Sequence, residues 1–188
     1  DPLSDPYDLM QKYHIDKDMN WCFNPSVSPQ SFFQIQKIVG KGGFSVVAHV
    51  YSIATQRNFA GKIIDTSAVD AKAEETIQKE VAFLKLLKSP FIIKYYGSVQ
   101  WGDSKMLLLE YCDKGSFRQI LDVKHDVLTE NQISIVVHDL IKAVKVLHDK
   151  NIVHCDIKAA NLLLNSKGEV KLCDFGVSEK IDPDNESK

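Results

Sequence analysis

The sequence predicts an α+β fold in which a five-stranded antiparallel sheet with one helix precedes a mainly helical region. Two observations carry this prediction. Between residues 32 and 110, short apolar segments are separated by turn-forming residues, a pattern typical of antiparallel strands, and one further segment has helical spacing. After residue 129, apolar residues recur at three- and four-residue steps over a long stretch, which is typical of an amphipathic helix.

The five strands fall into two groups along the chain. Three strands are predicted between residues 32 and 64, with turns near residues 41–43 and 54–58. Two more are predicted at about residues 93–99 and 105–109, separated by the turn-forming sequence Trp-Gly-Asp. The two groups together account for the predicted sheet.

The single helix of this region is predicted between residues 74 and 88. Ile77 and Leu84 recur along one side at helical spacing, and Pro90 ends the segment. Glu80 lies on that same apolar side. We therefore expect the Glu80 carboxylate to be less solvated than the other acidic residues of the helix.

Lys62 interrupts the short apolar strand at residues 59–64. A buried lysine is costly unless its charge is paired, and Glu80 is the candidate partner. The alternative is an edge-strand lysine whose ammonium group reaches water along the protein surface. The sequence leaves both interpretations open.

The mainly helical region contains one long helix, preceded by a short one at about residues 116–121. Residues 129–132, with the sequence TENQ, form a capping box that satisfies the first free N–H groups of the long helix, which ends near residue 149. A hairpin with strands at residues 162–164 and 170–173 follows. Core packing without a chemical role is expected for the apolar residues of the long helix, namely Ile133, Val136, Val137, Leu140, Ile141, Val144 and Leu147.

Composition narrows the class of protein. The chain has 188 residues, of which 44% are hydrophobic and 26% charged, and a net charge of −2. Because the charge is balanced and the chain has no long basic run, we do not expect it to bind nucleic acid or an anionic membrane. No apolar run reaches the roughly 18 residues of a membrane-spanning helix. The four cysteines form no C-x-x-C pair, so free thiols and a reducing, cytoplasmic location are expected.

Residues 1–30 differ in character from the remainder of the chain. They contain four prolines and scattered acidic residues without sustained periodicity, and we predict a linker or a short docking segment. The chain begins with Asp1 and Pro2 rather than Met, which favours a piece excised from something longer.

Two short motifs, whose aspartates Asp156 and Asp174 are eighteen residues apart, indicate the chemistry. The first is HCDIKAAN at residues 154–161 and the second is DFG at residues 174–176. Phosphoryl transfer needs a carboxylate that accepts a hydroxyl proton, oxygen ligands that hold Mg²⁺ on the phosphates, and a cation that neutralises developing charge. The two motifs supply these groups as Asp156, Asn161, Asp174 and Lys158.

A glycine-rich turn between residues 38 and 47 supplies a second part of a nucleotide site. Because glycine lacks a Cβ, backbone N–H groups can approach phosphate oxygens closely. Taken alone, the same pattern also fits an ordinary hairpin.

Together, these features resemble the protein kinases. Residues 154–161 match the catalytic-loop pattern H-R-D-x-K-x-x-N with Cys155 in place of Arg, and residues 174–176 match D-F-G. Residues 40–47 match G-x-G-x-x-G-x-V with Ser45 at the third glycine, and Lys62 stands where the lysine of V-A-I-K lies.

The resemblance is specific enough to narrow the group. A lysine two residues after the catalytic aspartate is typical of Ser/Thr-type kinases, and DIKAANLLL at residues 156–164 resembles the sterile-20-like group, particularly germinal-centre-type kinases. The likeness covers about residues 32–181. It implies a bilobal protein-kinase-like fold with the N-lobe at residues 31–110. Residues 111–188 would form the hinge and a partial, mainly helical C-lobe that ends in the activation segment.

The resemblance implies a site for ATP. The loop over the phosphates would comprise Val39, Gly40, Lys41, Gly42, Gly43, Phe44 and Ser45. Adenine would lie between Val47, Ala60 and Leu163. The segment between the lobes would contact adenine and ribose through Leu109 as gatekeeper, Glu110, Cys112 and Ser116.

The resemblance also implies the catalytic roles. Lys62, paired with Glu80, would bind the α- and β-phosphates. Asp156 would position the hydroxyl of a protein Ser or Thr, and Lys158 would stabilise the transferring phosphoryl group. The Mg²⁺ ligands would be Asn161 and Asp174.

The implied function is therefore an ATP-dependent protein Ser/Thr kinase in a signalling cascade. Its cofactors would be ATP and Mg²⁺, and its partners a protein substrate and an upstream regulator. His154 is expected to be structural, bonded to the backbone near Asp174. The alternative is a non-catalytic module, derived from a kinase, that binds nucleotide or serves as a scaffold.

Two departures from the family pattern favour that alternative. Cys155 replaces an arginine that pairs with a phosphorylated activation-loop residue in family members, so activity is expected to depend less on such phosphorylation. The sequence stops at Lys188 without an A-P-E motif. We therefore expect the helix at residues 129–149 to expose an apolar face.

Overall fold

The computed structural model describes residues 32–43, 45–53, 55–123 and 128–182. The predicted linker at residues 1–30 and the loop residue Phe44 lie outside these ranges. The described chain divides into two units, one with residues up to 70 and 95–111, the other with residues 71–94 and 112 onward. Within the described residues, no helix is long and apolar enough to cross a membrane. The predicted domain boundaries at residues 30 and 110 stay predictions.

The first unit is built on the predicted five-stranded sheet. Its strands are all antiparallel and lie in the order β1-β2-β3-β5-β4. The α+β fold class and the strand number are thereby confirmed. The strands are β1 (Phe33–Lys41), β2 (Ser45–Ser52), β3 (Arg57–Asp65), β4 (Tyr95–Trp101) and β5 (Ser104–Glu110).

The register of β2, β3 and β5 divides their side chains between two faces of the sheet. Successive side chains of a strand point to opposite faces, and directly opposed residues of neighbouring strands share a face. Val50 opposes Phe59, and these two residues belong to the core face. The buried members of that core are Phe33, Ala48, Val50, Phe59, Val99, Met106 and Leu108.

Gly61 lies on the core face, where no room is left for a side chain. A Cβ there would lie 2.7 Å from Val50 Cγ2 and 2.8 Å from Met106 Sδ. We expect Gly61→Ala to lower the free energy of unfolding, measured with urea, by about 1–3 kcal/mol because the core must shift. Gly40→Ala is the matched control, since its Cβ would meet only Val47 Cβ at 3.8 Å. Equal stability of the two variants would contradict the close packing at Gly61.

The second unit contains the helices and three short strand pairings. Strands β6, β8 and β9 form one antiparallel sheet, and β7 pairs with β10. The helices are α1 (Ala71–Leu86), α2 (Phe117–Val123) and α3 (Glu130–His148), with a 3-10 turn at Ala159–Asn161. The strands are β6 (Gly115–Ser116), β7 (Ile152–Val153), β8 (Leu162–Leu164), β9 (Val170–Leu172) and β10 (Glu179–Lys180).

Helix α3 begins with the predicted capping box. Thr129 Oγ1 accepts a hydrogen bond from Gln132 N at 3.3 Å, and Gln132 Oε1 accepts one from Thr129 N at 2.9 Å. Leu147 is buried, as expected for core packing. Core packing is the wrong expectation for three other residues, which are exposed because no described residue covers that side of the helix. Their exposure confirms the second prediction for this helix, that it exposes an apolar face. These residues are Ile133, Val137 and Ile141.

Candidate active site

The first unit gathers four of the predicted nucleotide residues on the sheet face opposite its core. Val47 opposes Lys62, and Ala60 opposes both His49 and Leu109. Side chains directly opposed across strands lie close together, so the register places these four side chains near one another on that face. Lys62 is half-buried in the middle of β3, between β2 and β5, which excludes the edge-strand alternative.

The glycine-rich turn joins β1 to β2. Gly40 pairs with Val47 and Lys41 with Val46, and Gly42 N donates to Ser45 O at 2.7 Å. A Cβ on Gly43 would meet nothing within 4 Å. The turn therefore connects two paired antiparallel strands, as in a hairpin, and residues 41–43 are exposed. This geometry is compatible with phosphate binding, because a hairpin and a phosphate loop are not exclusive.

The segment after β5 is held by short-range hydrogen bonds in the second unit. Cys112 is buried, and its carbonyl accepts a hydrogen bond from Gly115 N at 3.1 Å. Ser116 Oγ accepts from Gln119 N at 3.2 Å, and Gln119 Oε1 accepts from Ser116 N at 2.9 Å. Ser116 therefore caps α2, a role that the sequence analysis missed although the S-x-x-Q pattern signals it. Leu163, in β8, lies opposite Ser116, in β6.

His154 is fixed by two backbone contacts. Its Nε2 donates to Cys173 O at 2.9 Å, and its Nδ1 accepts from Asp156 N at 3.2 Å. The buried ring also packs edge-to-face against Phe175, with centroids 5.2 Å apart. With both nitrogens engaged, His154 is not available as an acid or a base.

The Asp156 carboxylate accepts two hydrogen bonds at the same oxygen. Lys158 Nζ lies 2.7 Å from Oδ2, and Asn161 Nδ2 lies 3.0 Å from it. Lys158, and secondarily Asn161, hold the pKa of Asp156 below its ordinary value. The same contact raises the pKa of the Lys158 ammonium. Asp156 is therefore ionised, and Lys158 protonated, throughout the neutral range.

Replacement of Lys158 by Ala is expected to raise the pKa of Asp156. A carboxyl group with a depressed pKa stays ionised to lower pH, so loss of the stabilising cation moves its titration upward. A ¹³C NMR titration of the side-chain carboxyl measures this shift directly. Lys167→Ala, at an exposed position of the β8–β9 turn, is the control and should leave Asp156 unchanged. An unchanged or lower pKa in Lys158→Ala would contradict the ion pair.

Asn161 joins Asp156 to the segment before Asp174. Its Nδ2 donates to Asp156 O at 2.9 Å as well as to Oδ2, so both amide hydrogens are used. Its backbone carbonyl accepts from Cys173 N at 3.0 Å, which places Asp174 next to this hydrogen bond in the chain. Asn161 is buried, and its side-chain Oδ1 keeps its lone pairs for another ligand.

Asp174 has an unusual backbone conformation for a residue with a side chain. Its φ is 64°, in the left-handed region that aspartate tolerates better than most residues. Its Oδ1 accepts a long hydrogen bond from Gly176 N at 3.4 Å, while Phe175 is fully buried. Burial of Phe175 anchors the turn, and Asp174 stays exposed beside it.

The oxygen donors of this loop fit Mg²⁺ better than a transition metal. Among the residues that the structure describes, no cluster of three or more His, Cys, Asp or Glu could hold a metal. Asn161 Oδ1 and the Asp174 carboxylate are two hard oxygen donors without nitrogen or sulfur. Mg²⁺ is commonly held by one or two carboxylates together with waters and substrate phosphates, and the predicted binding of Mg²⁺ by this pair stays a prediction.

Cys155 is exposed and precedes Asp156 in the chain. Its φ is 64°, and its Sγ donates weakly to Val153 O at 3.6 Å.

Glu80 in α1 is buried, as its position on the apolar face predicts. Its pairing with Lys62 joins residues of different units and stays a prediction.

Ser178 is a further contact that the sequence analysis missed. Its side chain is fully buried, and its Oγ donates to His154 O at 3.1 Å. The bond ties the segment after Asp174 to the start of the catalytic loop. No local pattern signals it, because the two residues are separated by 24 positions in the chain.

Comparison with known proteins gives consistent matches over most of this chain. The protein kinase domain family matches residues 33–188. The chain is 37% identical over 180 residues to serine/threonine-protein kinase pakG of Dictyostelium discoideum, covering 96% of this chain and 15% of that protein. It is 37% identical over 152 residues to serine/threonine-protein kinase KIC1 of Saccharomyces cerevisiae, covering 80% and 14%. It is 36% identical over 153 residues to serine/threonine-protein kinase 4 homolog A of D. discoideum, covering 81% and 32%.

Proposed function

We propose the following function for this chain, which belongs to the protein kinase domain family: it transfers the γ-phosphoryl group of ATP to Ser and Thr hydroxyls of proteins. The relatives named above are serine/threonine-protein kinases, and the lysine two residues after Asp156 fits the same acceptor type. The chain spans about a third or less of the length of these relatives. Activity of the whole protein is therefore part of the proposal.

The arrangement around Asp156 carries this proposal. Lys158 and Asn161 both contact Oδ2, and in the described part of the chain no group bonds to Oδ1. A hydroxyl group can therefore donate to Oδ1 while Oδ2 stays held. The depressed pKa keeps the carboxylate ionised, as a group that orients a hydroxyl and accepts its proton requires.

Lys158 serves two purposes in this proposal. It is half-exposed beside Asp156, so its ammonium can reach a phosphoryl oxygen without leaving the loop. A fixed cation near the transferring group stabilises the negative charge on the equatorial oxygens of the transition state. The raised pKa keeps that charge present at neutral pH.

Mg²⁺ would be held by Asn161 and Asp174, and when bound it would neutralise charge on the phosphates. The chain's own contribution is to position these oxygens. Both amide hydrogens of Asn161 are used on Asp156, so the side chain presents its oxygen rather than its nitrogen to a cation. The anchored Phe175 keeps Asp174 at the surface of the turn.

In the first unit, the nucleotide would be bound by one face of the sheet. The sheet face with Val47, Ala60 and Leu109 offers apolar contacts for adenine, and Lys62 offers a cation for the phosphates. The remaining predicted contacts come from the glycine-rich loop, with Phe44, and from Glu80, Glu110, Cys112, Ser116 and Leu163.

The proposal extends to the setting of the reaction. A sterile-20-like kinase would act on a protein substrate in a signalling cascade, under an upstream regulator, in the cytoplasm. The described cysteines are free thiols, which suits a reducing compartment. Neither nucleic acid nor a membrane is a proposed partner.

A non-catalytic nucleotide-binding or scaffold module is the second candidate. The exposed apolar side of α3 and the cysteine at position 155 favour it, since the first offers a surface for contacts and the second removes a regulatory arginine. The two candidates differ in one observable, which is phosphoryl transfer.

The test is transfer of labelled γ-phosphate from ATP and Mg²⁺ to a generic basic protein, followed by identification of the phosphorylated amino acids. Phosphoserine and phosphothreonine that require Mg²⁺ support the proposal. Asp156→Asn controls for contaminating kinases, because transfer that persists unchanged in this variant comes from another enzyme. Nucleotide binding without transfer above this control would favour the non-catalytic module.

A further inference from the structure

The ring of His49 stacks on the ring of Tyr111 in the first unit. The centroids are 4.0 Å apart and the ring planes differ by 3°. Parallel aromatic rings at this separation attract each other beyond the area they bury. Neither residue belongs to the motifs that identify the family, and the sequence offers no local sign of the contact, because 62 positions separate the two residues.

His49 is fixed on the nucleotide face of the sheet. It lies two residues beyond Val47 on the same side of β2, and it opposes Ala60 in β3. Its Nε2 donates to Asn58 Oδ1 at 2.8 Å, since the amide oxygen can only accept. The hydrogen bond holds the edge of the imidazole, so rotation of the ring would break either this bond or the stack.

Tyr111 is the first residue beyond β5. The ladder between β3 and β5 ends at the pair of Phe59 and Glu110, and the stack adds a contact between the sheet and the next residue of the chain. The backbone at Glu110 is the part of this segment proposed above to bond to the adenine edge. A shift of this backbone by a fraction of an ångström would weaken such hydrogen bonds, because they are sharply dependent on distance and angle.

We infer that His49 is a positioning residue for adenine: stacked on Tyr111 and bonded to Asn58, it holds the backbone at residues 110–111 in the geometry that binds the base. This inference rests on the proposed function, since it concerns the same nucleotide. His49 itself does not contact the reacting phosphate. Its effect should therefore be confined to the affinity for ligands that contain adenine.

The experiment compares two ligands that share a phosphate chain. ATP contains adenine, whereas inorganic tripolyphosphate offers the phosphates alone. Dissociation constants for both, with Mg²⁺, are measured by competition with a fluorescent ATP analogue on the purified full chain. The KM for ATP, the kcat and the KM for protein substrate are measured in parallel.

Loss of the ring should weaken only the adenine-containing ligand. We expect His49→Ala to raise the dissociation constant and the KM for ATP about three- to tenfold, the contribution of one aromatic pair. Tripolyphosphate binding and the kcat should stay unchanged. His49→Phe retains a ring but not the bond to Asn58, and should restore most of the ATP affinity. His138→Ala, an exposed histidine in α3, is the matched control and should have no effect.

Three results would overturn the inference. ATP affinity could be unchanged in His49→Ala, the two ligands could weaken equally, or His49→Phe could bind as poorly as His49→Ala. Equal weakening of ATP and tripolyphosphate binding would indicate a general structural role for His49. Failure of the proposed function gives a different pattern, because phosphoryl transfer would then be absent from the wild-type chain itself, whereas the effect of His49 is read from binding. If the wild-type chain bound neither ATP nor its analogue, both proposals would be contradicted together.

Discussion

Asp156→Asn is expected to lower the kcat for protein phosphorylation by about 10²–10⁴-fold, the usual contribution of a positioned proton acceptor. The variant keeps the size and planarity of the side chain, and its amide oxygen can still accept from Lys158 and Asn161 in place of Oδ2. Its remaining atom is an NH₂ group, which cannot take a proton from a hydroxyl. The KM for ATP should change little, because none of the proposed nucleotide contacts involves Asp156.

Steady-state kinetics with ATP as the varied substrate separates these two effects. Asp122→Asn is the control, since this exposed aspartate in α2 pairs with Arg118 and lies outside the proposed site. A kcat within a factor of a few of the wild type, or a loss carried entirely by the KM for ATP, would remove Asp156 from its proposed role.

Asn161→Asp is expected to lower the kcat by about 10²-fold, because two hydrogen bonds to Asp156 are lost and charge-assisted bonds are among the stronger ones. The new carboxylate would face Asp156 Oδ2, which lies 3.0 Å from the present Nδ2. Two like charges at this distance raise the pKa of at least one of them, so the variant should also need a higher pH for activity.

A comparison with Asn161→Ala separates the two proposed functions of this residue. The Asp variant keeps an oxygen that can bind Mg²⁺, whereas the Ala variant loses both the donor groups and the oxygen. The apparent Mg²⁺ dissociation constant should therefore rise only in Asn161→Ala, while both variants lose kcat. If Mg²⁺ affinity is unchanged in Asn161→Ala, Asn161 is not a ligand of the metal.

Much of the local structure was predictable because it depends on short-range rules. The capping box at residues 129–132 is a pattern of four residues, and it formed as expected. The five strands follow from apolar segments and turn residues, although β4 begins at Tyr95 rather than near residue 93. Helix α1 spans Ala71–Leu86, displaced toward the N-terminus from the predicted residues 74–88, because helix ends fray and carry weak sequence signals.

The family was also predictable from the sequence. The motifs at residues 154–161 and 174–176 keep a fixed spacing, and the match to protein kinases confirms the identification made from them. The burial of Glu80 was likewise predictable, since its place on the apolar side of a helix is set by the helical repeat.

The sequence by itself therefore determined the main strands and helices and the family, and the residues expected to carry the chemistry stay predictions made from it. Only the tertiary structure decided how those residues are held. The two bonds from Asn161 to Asp156, the bond from Ser178 to His154 and the stack of His49 on Tyr111 depend on three-dimensional placement. The structure also decided which residues of α3 pack and which are exposed, since the helical repeat sets a face but not its neighbour.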